Sequence, residues 1–151
     1  MTSTLSQKMN DQFLKQYISA VIKTAPDIES IWLIGSRAND TAREESDWDL
    51  LVFANGPALK KLQKITELAH SRVDLLVVYN GDDFKEPWPD EAHNNKTGAL
   101  SDWNWQKTGS KSAQYTSTKY YPDDDSDDWF KGLSIPVKKT LKGKLLWQQK
   151  D

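Results

Sequence analysis

Cysteine is absent from the 151 residues, which removes disulfides, thiolate metal sites and cysteine nucleophiles together and fits a reducing compartment. Histidine is nearly absent, with only His70 and His93. His70 ends a helical stripe, where a cation suits the helix dipole, and His93 lies in aperiodic chain. Neither is expected to be catalytic, and a histidine-based zinc site is not expected. No apolar run approaches the roughly 18 residues that span a bilayer. The N-terminus, MTSTLSQKMNDQFLKQ, lacks the basic stretch and apolar core of a signal peptide. A cytoplasmic protein with no membrane partner is the expectation. An excess of one charge is also missing: 20 basic and 22 acidic residues give a net −2. With no global field to attract polyanions, direct nucleic-acid binding is not expected. A chain of this length suits one domain and can bury roughly 68–70% of its unfolded surface without crosslinks.

What is present falls into two textures. Phe13, Leu14, Tyr17, Ile18, Val21 and Ile22 recur at spacings of one, three and four, which predicts an amphipathic helix over 11–24. Ala25, Pro26 and Asp27 stop it. Ile31 to Ile34 reads as a short buried strand running into a Gly35–Ser36 turn, and Trp48 to Phe53 as a second strand. Pro57 to Ala69 predicts a helix with Leu59, Leu62, Ile65 and Leu68 on one stripe. Val73 to Tyr79 is almost continuously apolar, as a strand covered on both faces is.

Beyond Asn80–Gly81 the periodicity fades. Trp88, Trp103, Trp105 and Trp129 are scattered through 82–130 among polar residues, which reads as irregular chain with a short strand near Gln114 to Tyr121. So many aromatics argue against plain disorder. They could pack a long loop on the core, stack on a base or line a partner surface. The acidic run Asp123, Asp124, Asp125, Asp127 and Asp128 precedes Lys131, Lys138, Lys139, Lys142 and Lys144. The two read as a solvated loop and a solvated helix face. A short helix is expected over 136–142, closed by Gly143, with Leu145, Leu146 and Trp147 as a terminal strand or packing anchor.

The chemistry concentrates in Gly35-Ser36, ten intervening residues, and Asp47-Trp48-Asp49. Side chains along a strand alternate faces, so Asp47 and Asp49 project together and Trp48 opposes them. Two carboxylates this close repel, and a hard divalent cation resolves the conflict. Asp74 is the only acid within the third strand, where a carboxylate needs a partner or a metal. If the second and third strands are neighbours, Asp47, Asp49 and Asp74 together can hold two metals. Gly35 lets backbone approach phosphate, and a helix starting at Ser36 would aim N–H groups at it. Arg37 would add charge to that grip or bridge to a nearby acid.

This pattern resembles the signature of the minimal nucleotidyltransferases of the DNA polymerase β superfamily, over roughly residues 10–80. The resemblance implies an α/β (α+β) polymerase β-like fold, a small mixed sheet flanked by helices. The chain reads as a single domain over 1–151, with the family-like core at about 10–80, a tryptophan-rich irregular extension at about 81–132 that departs from the family pattern, and a C-terminal helix or strand at about 133–148. The resemblance implies Mg2+-dependent transfer of AMP from ATP to an acceptor hydroxyl. Asp47 and Asp49 are then metal ligands, Asp74 the third ligand and base, and Gly35, Ser36 and Arg37 nucleotide contacts. A glycine near Asp40 and a basic residue near Asn39, common in the family, are missing. Asn and Asp tolerate left-handed turns, so the loop is still expected to form.

Small stand-alone members are similar to MntA-type antitoxins of HEPN/MNT toxin–antitoxin pairs, which implies AMPylation of a tyrosine on a HEPN-type toxin partner. Two other readings stay open: a small-molecule (aminoglycoside-type) nucleotidyltransferase, and a non-catalytic nucleotide- or partner-binding module.

Overall fold

The computed structural model of the chain describes residues 2–43, 46–88, 96–121 and 135–150. The first helix, α1, spans Thr2–Thr24 and delivers Leu14, Tyr17, Ile18 and Val21 to the core, with Phe13 and Ile22 packed at its margin. Strand β1 (Ser30–Ile34) follows, then β2 (Trp48–Phe53) antiparallel to it. Helix α2 (Gly56–Lys64) crosses to β3 (Val73–Val78), which pairs with β2 in parallel. The order helix, strand, strand, helix, strand is the one expected.

Helix α2 is shorter than its stripe suggests. Asn55 caps its start by accepting from the Ala58 N–H at 2.9 Å. Its end comes at Lys64 because the Trp88 indole N–H donates to the Leu62 carbonyl at 2.7 Å, and the Ile65 N–H turns to that same carbonyl. The next residues tighten into a 3-10 turn, Thr66–Leu68. Ile65 is left exposed while Leu68 still reaches the core margin.

The segment after Gly81 corrects the sequence reading most. In place of irregular chain stand β4 (Asp83–Lys85), β5 (Thr97–Ala99), a 3-10 turn at Leu100–Trp103 and β6 (Gln106–Lys107), while the strand expected near Gln114 to Tyr121 forms as β7 (Ser112–Tyr121). Side chains organise it locally. Asn80 Oδ1 accepts from the Asp82 and Asp83 N–H groups at 3.1 and 2.7 Å, and Asp82 accepts from the Ser101 N–H at 2.9 Å. The helix expected over 136–142 is likewise overturned. Residues Ile135–Gln148 form one strand, β8, paired with β7 from Ser112↔Lys144 to Tyr121↔Ile135. Gly143 is no helix cap. It sits under the Trp105 ring, where an added Cβ would lie 3.1 Å from ring carbon. Lys138, Lys139, Lys142 and Lys144 are exposed on this strand. His93, Trp129, Lys131 and the acidic run Asp123–Asp128 lie outside the described residues.

Among the described residues the strands form one mixed eight-stranded sheet in the order β5-β4-β3-β2-β1-β8-β7-β6. Alternation sorts its side chains into two apolar layers. One joins Ile31, Leu33, Leu50, Val52, Val73, Leu75 and Val77 to α1 and α2. The other holds Trp32, Ile34, Leu51, Leu76, Val78, Ala113 and Tyr115, roofed by Phe84, Leu100, Trp103 and Trp105. Both helices therefore cover one face, and the aromatic segment covers the other. Among the described residues no helix is long and apolar enough to cross a membrane.

Candidate active site

The candidate residues gather at the C-terminal end of β1 and the N-terminal ends of β2 and β3. Asp49 stands opposite Ile34 on one side and beside Asp74 on the other, in parallel register. Both acids occupy the helix-free face, since each is two residues from a member of that layer, Leu51 and Leu76. The negative charge of Asp74 beside Asp49 favours a proton on the pair. Burial first, and then the charge and hydrogen bond of Asp74, push the Asp49 carboxyl up to about 7, with Lys96 opposing. Lys96 Nζ lies 3.6 Å from Asp74 Oδ2, an ion pair between two substantially exposed side chains.

Asp47 is placed differently from the other two. It precedes β2 and is exposed, although its charge reaches both Asp49 and Arg37. Among the described residues no three His, Cys, Asp or Glu side chains are gathered as a metal cage. The compact unit is the Asp49–Asp74 pair, with Asp47 at its edge. Such a donor set still suits a hard cation. Paired carboxylates, one of them resisting ionisation for want of a counter-charge, leave open positions for water and phosphate.

Gly35 turns the chain away from β1 at φ +72°, a conformation open to glycine. A Cβ there would land on the Asp49 carboxylate, so no other residue fits between turn and acid. The helix expected from Ser36 does not form. Residues 36–40 instead make successive tight turns, with Ala38 N–H donating to Gly35 O and Asn39 N–H to Ser36 O, both at 3.2 Å. Asp40 takes the left-handed conformation at φ +58°, as its side chain allows. Ser36 is half-buried, and among the described residues its N–H and hydroxyl have no partner. The Arg37 fork faces the other way: Nε and Nη2 donate to the Ser46 carbonyl at 3.1 and 2.7 Å, and the guanidinium lies 4.1 Å over Trp48. It ties the two ends of the loop together.

Three residues near this site carried little sequence signal. Tyr115, on β7, accepts the Gly35 N–H through its hydroxyl at 2.8 Å. Asn39 donates to Gly35 O at 2.8 Å and to Lys142 O at 3.1 Å, while its Oδ1 accepts the Lys142 N–H at 2.8 Å. Lys96 is the third. The alternation of the strand near 114–121 was the one available hint, and it marks a face without marking its neighbour. His70 is packed away from the acids, with Nδ1 accepting the Arg72 N–H at 3.0 Å and its ring 4.9 Å from Phe13.

Residues 16–86 match the sequence family described as Polymerase beta, Nucleotidyltransferase. That interval holds Gly35, Ser36, Asp47, Asp49 and Asp74, and ends before Lys96 and Tyr115. No curated protein matches the chain significantly. A crystal structure of a Sulfolobus solfataricus protein, provisionally named a nucleotidyltransferase, is similar at 18% identity and a TM-score of 0.44, over 66% of this chain and 86% of that one. Residues 16–86 are thus similar to the polymerase beta nucleotidyltransferase family, and the chain has the nucleotidyltransferase-like α+β fold, a mixed sheet with two helices among the described residues.

Proposed function

We propose that the protein transfers AMP from ATP to an acceptor hydroxyl, and that the acceptor is a tyrosine of a HEPN-type toxin partner. The observation that carries the transfer reading is the Asp49–Asp74 pair facing the Gly35–Ser36 turn. The partner rests on resemblance to stand-alone minimal nucleotidyltransferases. Asp49, Asp74 and Asp47 would hold Mg2+, which supplies charge to the phosphates and steadies the leaving pyrophosphate. Ser36 offers its N–H and hydroxyl to a phosphate oxygen. Arg37 keeps the loop closed from behind. Asp74 takes the proton of the acceptor hydroxyl as its oxygen bonds to the α-phosphorus and the bond to pyrophosphate breaks. Lys96, paired with Asp74, balances the local negative charge.

The test is incubation of the protein with α-labelled ATP, Mg2+ and the product of the neighbouring gene. Label is expected on a tyrosine of the neighbour, with Asp49→Asn lowering the rate at least about a hundredfold, a loss of some 2.7 kcal/mol in transition-state stabilisation. Neutralisation of a toxic neighbour that survives Asp47→Asn with Asp49→Asn would overturn catalysis in favour of binding alone.

A further inference from the structure

We propose that Tyr115 is a positioning residue of the nucleotide site, holding the Gly35 N–H so that the turn is fixed above Asp49 and phosphate is received at Ser36. The inference rests on the nucleotidyl-transfer reading and extends it to a part of the chain beyond the family match. An amide has one hydrogen to give. The Gly35 N–H gives it to the Tyr115 hydroxyl at 2.8 Å, so phosphate finds it already committed. Ser36, one residue on, has its N–H and hydroxyl without partners among the described residues.

Tyr115 is built to hold a position. It is 5% exposed, its ring stacks on Trp105 with centroids 6.0 Å apart, and Trp103 lies 5.6 Å away on the same aromatic layer. Gly35 in turn touches the Asp49 carboxylate so closely that no Cβ could intervene. A displacement of the Gly35 backbone is therefore a displacement of the roof over Asp49. Asn39 fastens the same turn a second time, to the backbone of Lys142 on β8. The β7–β8 hairpin thus grips the turn at two points and belongs to the site.

The experiment compares wild type with Tyr115→Phe, which keeps the ring and removes the acceptor. Amide exchange without nucleotide is read first. Exchange at Gly35 is expected to speed up about tenfold or more, with Val52 in the core of β2 unchanged. Calorimetric titration with Mg2+ and a non-hydrolysable ATP analogue follows. Its Kd, and the KM for ATP, are expected to rise about tenfold while kcat stays within about threefold. Unchanged exchange at Gly35, or an unchanged Kd, would overturn the proposal. Should Tyr115→Phe fail to fold, wild type decides. Nucleotide is expected to shift the Ser36 amide strongly and leave Gly35 protected, whereas loss of Gly35 protection would refute it. A wild-type protein that bound no nucleotide would sink the reading of the site, and the exchange measurement would still judge the clasp.

Discussion

Asp49 has an ordinary carboxyl value of 3.8 and is pushed up to about 7 in the folded chain, chiefly by burial and then by Asp74. Between those values the folded chain keeps a proton that the unfolded chain has released. Its contribution to stability is therefore complete at about pH 4, falls as pH rises, and is lost above about pH 7. In chelator, urea denaturation is expected to show wild type losing stability relative to Asp49→Asn between about pH 4 and about pH 8. A pH-independent difference between the two would contradict the burial of this carboxyl. Residue identity made some of the site legible beforehand. The acids, the glycine turn and the left-handed Asp40 follow from what those residue types tolerate. Tyr115, Asn39 and Lys96 do not, because each matters through a partner far away in sequence: Tyr115 with Gly35, Asn39 with Lys142, Lys96 with Asp74. Arg37 follows the same logic, its fork being spent on a backbone carbonyl that no spacing rule announces.

Long, periodic elements announced themselves and short ones did not. Helix α1 and strands β1, β2 and β3 stand within a few residues of their expected bounds, apart from the N-terminal extension of α1 to Thr2. Strands of two or three residues, such as β4, β5 and β6, are too brief to display a period, and pairing with a neighbour creates them. The lysine-rich pattern over 136–142 predicts a helix, and pairing with the facing β7 makes it strand instead. Helix α1 also holds one imperfection. The Tyr17 hydroxyl is buried without a partner among the described residues, and burial raises its pKa. Tyr17→Phe removes an unsatisfied polar group and keeps the ring packing beside Phe13. It is expected to stabilise the fold by about 1 kcal/mol, read as a higher denaturation midpoint. A lower midpoint would mean that the hydroxyl has a partner in solution.

Across the molecule, β8 is the seam. It pairs with β1 on one edge and β7 on the other, so among the described residues its ladders join the strands of the family match to the β6–β7 side of the sheet. A chain ending at residue 134 would expose the backbone edge of β1 and orphan β7. Such a chain is expected to lose cooperative thermal unfolding and to aggregate. A monomeric product with a sharp calorimetric transition would show that β1 can serve as a native edge. The same seam has a mechanical corollary. Tyr115 stands opposite Leu141, and Lys142 opposite Gln114, so the two fastenings of the Gly35–Asp40 bend sit on adjacent rungs of one ladder. They cannot be worked separately: twisting that ribbon tugs the bend at both anchors at once, and the pull arrives at Asp49 without passing through either helix.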